Sequence, residues 1–97
     1  MRKFSGKARV VFCRPVQDSV FLLRIAYIIE ENDAIPRPGQ FYLLKAIPSA
    51  VQLARPISVY SAFVKDGLLT VDFLILQKGT GTQELCSVWH DSYLYAI

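Results

Sequence analysis

At 97 residues and 11.0 kDa the chain has room for one domain, near the lower end of what folds on a single core, which excludes a two-domain enzyme. The net charge is +3 and the eleven Lys and Arg are scattered, so a dedicated nucleic-acid tract is excluded. Hydrophobic residues make up 53% and the mean hydropathy is +0.31, more than a small wet-surfaced domain needs, so a buried ligand or a partner surface is expected.

In chain order, residues 7–17 read as a first strand: Ala8, Val10 and Phe12 share one face, and Arg9, Val11 and Cys13 the other. A second strand is predicted over 20–29, joined through Asp18-Ser19, with Phe21, Leu23, Ile25, Tyr27 and Ile29 on one face and Arg24 opposite. Two prolines and Gly39 then reverse the chain in Ile35-Pro36-Arg37-Pro38-Gly39. Residues 40–45 read as a third strand and 47–54 as a loop carrying Pro48 and Ser49.

Arg55-Pro56-Ile57-Ser58-Val59-Tyr60 puts a fixed positive charge and a hydroxyl into a run otherwise built for a core. Pro56 lacks a backbone donor and is poorly tolerated in a central strand, so this stretch is expected to start a strand or lie along an edge. A guanidinium there suits phosphate oxygens, to which it donates two parallel hydrogen bonds, and Ser58 can both donate and accept. The plain alternative is an edge strand with a snorkelling Arg and a solvated Ser. A fourth strand is predicted over about 57–63. Lys65-Asp66-Gly67 is a hairpin turn, and beyond it Leu69, Val71, Phe73 and Ile75 alternate with Leu68, Thr70, Asp72 and Leu74 as a half-buried fifth strand.

Lys78-Gly79-Thr80-Gly81-Thr82 follows, and 83–88 has helical character with Thr82 as N-cap. A Gly-rich turn entering a helix is a second candidate anion contact, although it lacks the spacing of a P-loop or a dinucleotide-fold fingerprint; its alternative is a simple strand-to-helix turn. Tyr93-Leu94-Tyr95-Ala96-Ile97 reads as a last strand. Five or six short strands and one short helix predict an all-β fold, a closed antiparallel barrel, since closure hides edges that a small apolar sheet would expose; a sandwich is the alternative. Cys13 and Cys86 match neither a disulfide framework nor paired metal ligands and are expected to be reduced thiols in packing positions. No apolar run reaches the length of a membrane span and the first residues do not form a signal-peptide core, so a cytoplasmic setting away from membranes is expected.

Pro38-Gly39-Gln40-Phe41, Arg55-Pro56-Ile57-Ser58 and Gly79-Thr80-Gly81-Thr82-Gln83-Glu84-Leu85, in this order, resemble the FAD-binding domain of the ferredoxin-NADP reductase family over nearly the whole chain, which implies a six-stranded antiparallel Greek-key barrel with one short helix. Within it, the chain is most similar to the branch formed by the electron-transfer subunits of bacterial dihydroorotate dehydrogenases. The resemblance implies that Arg55 binds the FAD phosphates, that Pro56 and Ile57 shape the flavin wall, and that Ser58 hydrogen-bonds near the reactive flavin nitrogen. Leu74, Ile75 and Leu76 would run beside the cofactor through backbone groups, and Gly81 and Thr82 would hold the pyrophosphate. It further implies NAD(P)H as electron source through a second, nucleotide-binding domain, a partner dehydrogenase subunit, and an iron-sulfur cluster lying outside this chain, because two cysteines cannot supply the four ligands that a cluster needs.

The sequence departs from this pattern at Leu76, where many relatives carry a basic residue, and at His90 before Asp91, where relatives usually have Gly. The ending at Leu94 to Ile97, without a polar tail, suggests a fragment that precedes a nucleotide-binding domain. Such a fragment is expected to bind flavin weakly or not at all by itself, to lack catalytic competence, and to self-associate over the uncovered surface. The competing expectation is a small non-catalytic β-barrel interaction module whose exposed apolar face docks a protein.

Overall fold

In the computed structural model, residues 6–30, 35–47, 55–77, 82 and 93–97 are described. They form six strands: β1 (Gly6–Gln17), β2 (Val20–Ile28), β3 (Phe41–Ala46), β4 (Arg55–Lys65), β5 (Leu68–Leu76) and β6 (Tyr93–Ala96). The strands close into a barrel in the order β1-β2-β5-β4-β3-β6, and every neighbouring pair is antiparallel. The run β2-β5-β4-β3 is a Greek key: three successive strands, with β2 lying beside the farthest of them. The all-β barrel predicted from the sequence is the fold of the chain. The short helix expected over 83–88 lies outside the described residues.

Alternation fills the interior. Ala8 and Val10 from β1, Leu23, Ile25 and Tyr27 from β2, Tyr42 and Leu44 from β3, Val59 from β4, Leu69, Val71, Phe73 and Ile75 from β5, and Leu94 and Ala96 from β6 form one buried cluster. Phe21, Ile29, Ile57, Ala62 and Cys13 pack against it, and Cys13 is a reduced thiol. Tyr27 and Tyr42 bring the two hydroxyls into this apolar interior and hydrogen-bond them to each other. The Tyr42 ring also meets Phe73 edge-on, with centroids 5.7 Å apart.

The ladders shift register at three places among the described residues, Val10/Phe12 and Pro15/Gln17 in β1 and Val59/Ser61 in β4, and the first and last bear on the site. In β1 the register with β2 shifts between Val10 and Phe12, so Val11 has no opposite residue. Val10 pairs with buried Ile25, but Phe12 then pairs with Arg24 on the outside, and Cys13 turns inward opposite Leu23. The sequence expectation that Phe12 shares a face with Ala8 and Val10 is thereby corrected, because one extra residue reverses the alternation beyond it. The last of the three, at Tyr60 in β4, separates the pairs Val59–Phe73 and Ser61–Asp72.

The β4–β5 hairpin is the tight turn that the sequence predicts. Asp66 and Gly67 have φ of 54° and 78°, positive at both central positions as a two-residue loop of matching twist requires. Ser19, in the β1–β2 connection, also takes a positive φ of 59°.

Candidate functional site

Among the described residues the ladder between β4 and β5 is incomplete at one end, which forms a seam. β4 pairs with β3 through Arg55, Pro56, Ile57 and Ser58, and with β5 only from Val59 onward. Beyond the pair Val59–Phe73 the two strands part, while Leu74, Ile75 and Leu76 stay paired with Leu22, Phe21 and Val20 of β2. The sequence-predicted residues of β4 and β5 therefore form the two lips of this seam.

Backbone direction follows from the hydrogen bonds at its margins. Val59 N–H donates to Gln40 O and Gly39 N–H donates to Val59 O, so the peptide groups of Val59 face β3. By strand alternation those of Pro56 and Ser58 face the seam. This accounts for Pro56 inside a barrel strand: its missing N–H lies where no ladder needs it. On the other lip, Ile29 N–H donates to Gly67 O and Gln77 N–H to Ser19 O, which turns the odd-numbered peptides of β5 toward β2. The N–H and C=O groups of Leu74 and Leu76 consequently face the seam, opposite Ser58.

The side chains divide by the same alternation. Arg55 lies opposite buried Leu44 and shares the inward side of β4 with Ile57 and Val59, but it is exposed, which places it at the barrel rim. Pro56 and Ser58 point to the outer wall, Ser58 opposite Phe41. Ile75 is buried, whereas Leu74 and Leu76 stand exposed on the outer wall with Phe41 and Tyr60. This wall is an apolar surface carrying one hydroxyl, bordered by backbone donors and acceptors and by a cation at the rim. A ligand touching both Arg55 and Ser58 must cross from the rim to the outer wall. Thr82 is buried. Gly81, the rest of the Gly-rich turn, His90 and Cys86 lie outside the described residues.

Sequence reading missed a polar row beside the seam. Arg24 of β2 grips Asp72 of β5 with two hydrogen bonds, Nε to Oδ1 at 2.7 Å and a terminal nitrogen to Oδ2 at 2.9 Å. Ser61 of β4 adds its hydroxyl to the same Oδ2 at 3.2 Å. The Arg24 guanidinium lies 5.0 Å from the Phe12 ring centroid and 5.5 Å from that of Phe63, and the Asp72 hydrogen bonds raise its pKa further above the ordinary arginine value against an opposing effect of burial. The only signal in the sequence was an Arg and an Asp on the polar faces of two strands; their meeting depends on the β2–β5 register.

Fold and site together define an antiparallel Greek-key barrel whose β4–β5 ladder ends at Val59–Phe73, leaving Arg55 to Ser58 and Leu74 to Leu76 unpaired with each other. A scan against protein-family models, a search of curated proteins and a search of solved structures each return no match. Among the described residues no helix is long and apolar enough to cross a membrane.

Proposed function

We propose that the chain is the flavin-binding barrel of an oxidoreductase, with FAD as its cofactor, working between NAD(P)H and an iron-sulfur centre or partner dehydrogenase. The observation that carries this reading is the seam: the motif residues of β4 and those of β5 flank the stretch where the two strands part. A flavin ring is flat and apolar on its faces, with hydrogen-bonding atoms along one edge. The outer wall of Phe41, Tyr60, Leu74 and Leu76 suits the face, and the peptide groups of Ser58, Leu74 and Leu76 suit the edge.

Arg55 at the rim would hold phosphate oxygens by charge-assisted bonds, and the Gly81-Thr82 turn would supply N–H groups to the same pyrophosphate. Two such contacts favour FAD over a mononucleotide. Ser58 would present its hydroxyl to a ring nitrogen, holding or releasing a proton there. Leu76 adds no charge, so phosphate binding rests on Arg55 and the turn. Bound flavin supplies hydride acceptance and one-electron release, chemistry that no side chain of this barrel provides. The nicotinamide donor, the cluster and the dehydrogenase, including the dihydroorotate dehydrogenase that the sequence resemblance points to, would belong to partner domains or subunits.

Flavin titration of Arg55→Ala tests the reading. Loss of a charge-assisted phosphate bond should weaken FAD by about 1.5–3 kcal/mol, roughly 10- to 150-fold, and leave riboflavin, which has no phosphate, unaffected. A protein-interaction module, the reading favoured by the exposed apolar wall alone, predicts no change for either ligand.

A further inference from the structure

The row Phe12, Arg24, Asp72 and Ser61 crosses four adjacent strands, one residue from each of β1, β2, β5 and β4 in direct register. It lies immediately past the bulge at Tyr60, one pair beyond Val59–Phe73, the last β4–β5 pair before the seam. Of the three steps along the row only β2–β5 runs in an unbroken ladder, and Phe12–Arg24 follows the bulge at Val11. At the β4–β5 step, Ser61–Asp72 is the first pair after the register shift, and it is also where a side-chain bond joins the two strands. Asp72 is held by the two-pronged grip of Arg24, whose guanidinium lies over the rings of Phe12 and Phe63. An anchored acceptor gives the Ser61 hydroxyl a fixed point of attachment.

We infer that Ser61, acting through the Arg24–Asp72 pair, is a positioning residue that pins the apex of the β4–β5 seam and so sets how far the two lips stand apart. The consequence for a ligand in the seam rests on the flavin reading; the pin itself does not. A wall built on β5 and a hydroxyl built on β4 keep a constant spacing only if the strands are fixed where they diverge. Removing the Ser61 hydroxyl leaves the Arg24–Asp72 pair intact, so the substitution releases β4 without unpairing a charge.

Amide hydrogen exchange on the whole chain without ligand, followed residue by residue by NMR, tests the pin. Ser61→Ala should speed exchange of the amides of residues 61 and 72 by about tenfold, as loss of one hydrogen bond to a charged group implies, with β1–β6 amides unchanged. Ser61→Thr should restore protection, because it returns the hydroxyl on a residue suited to strands. Unchanged exchange, an acceleration spread evenly over the barrel, or no rescue by Thr would overturn the inference. A localised acceleration in a protein that binds no flavin would keep the pin and remove the flavin reading, so the two fail separately.

Discussion

The hydroxyls of Tyr27 and Tyr42 offer the most sensitive probe of the barrel core. The two residues are 6% and 7% exposed, and their rings lie 6.5 Å apart, so the hydrogen bond between them satisfies polar atoms inside an otherwise apolar cluster. Tyr42→Phe keeps the ring and its contact with Phe73 and removes one partner. Loss of a buried partner costs about 1–3 kcal/mol, whereas removing both partners together costs less than the sum of the two single losses. At about 4–8 °C per kcal/mol for a domain of this size, Tyr42→Phe should lower Tm by roughly 4–24 °C. Tyr27→Phe in the same background should cost much less than it does alone. Urea or thermal denaturation of the two single variants and the double variant, followed by circular dichroism, yields the coupling energy, with at least about 1 kcal/mol expected. Additive effects would refute the claim that these hydroxyls satisfy each other.

The same group predicts a pH dependence. Burial holds the Tyr42 hydroxyl above the ordinary tyrosine value of about 10, against a smaller opposing effect of the Tyr27 hydrogen bond. The folded state thus keeps the phenolic proton longer than the unfolded chain, so this contribution to stability is fully present below pH about 10 and is lost as pH rises through the raised folded value. Tyr42→Phe should flatten that alkaline limb, measurable as Tm against pH; an unchanged slope would count against the assignment. At the β4–β5 turn, Gly67→Ala forces a side chain into a positive φ of 78° with no atom within 4 Å to clash. The cost should be the backbone strain alone, about 1–2 kcal/mol in urea titration, with no change in slope against urea.

Much of this fold can be read locally. The alternation of Leu69, Val71, Phe73 and Ile75 identifies β5 and its inner face, and Asp66-Gly67 identifies the turn before it, because both signals lie within a few residues. Phe12 could not be placed that way. Val11, Phe12 and Cys13 are all apolar enough to face either side, so nothing nearby reveals the bulge that sends Phe12 outward. Arg24 and Asp72 are 48 residues apart, and their pairing exists only once β2 and β5 are in register. For the candidate site, Pro56 signalled a missing donor but not which neighbour was absent. The seam appears when β4 is seen to exchange β5 for β3 at Val59, a property of two ladders and not of one segment.

The central claim is that this seam receives flavin, and amide chemical-shift mapping during FAD titration tests it directly on a chain of 11.0 kDa. The account predicts shifts concentrated at residues 55–59 and 73–77, with Arg55 responding to FAD and not to riboflavin. It predicts weak binding, since the outer wall is exposed on one side. Absence of shifts at millimolar FAD, or shifts centred on the opposite end of the barrel around Ile28 and Leu68, would contradict it.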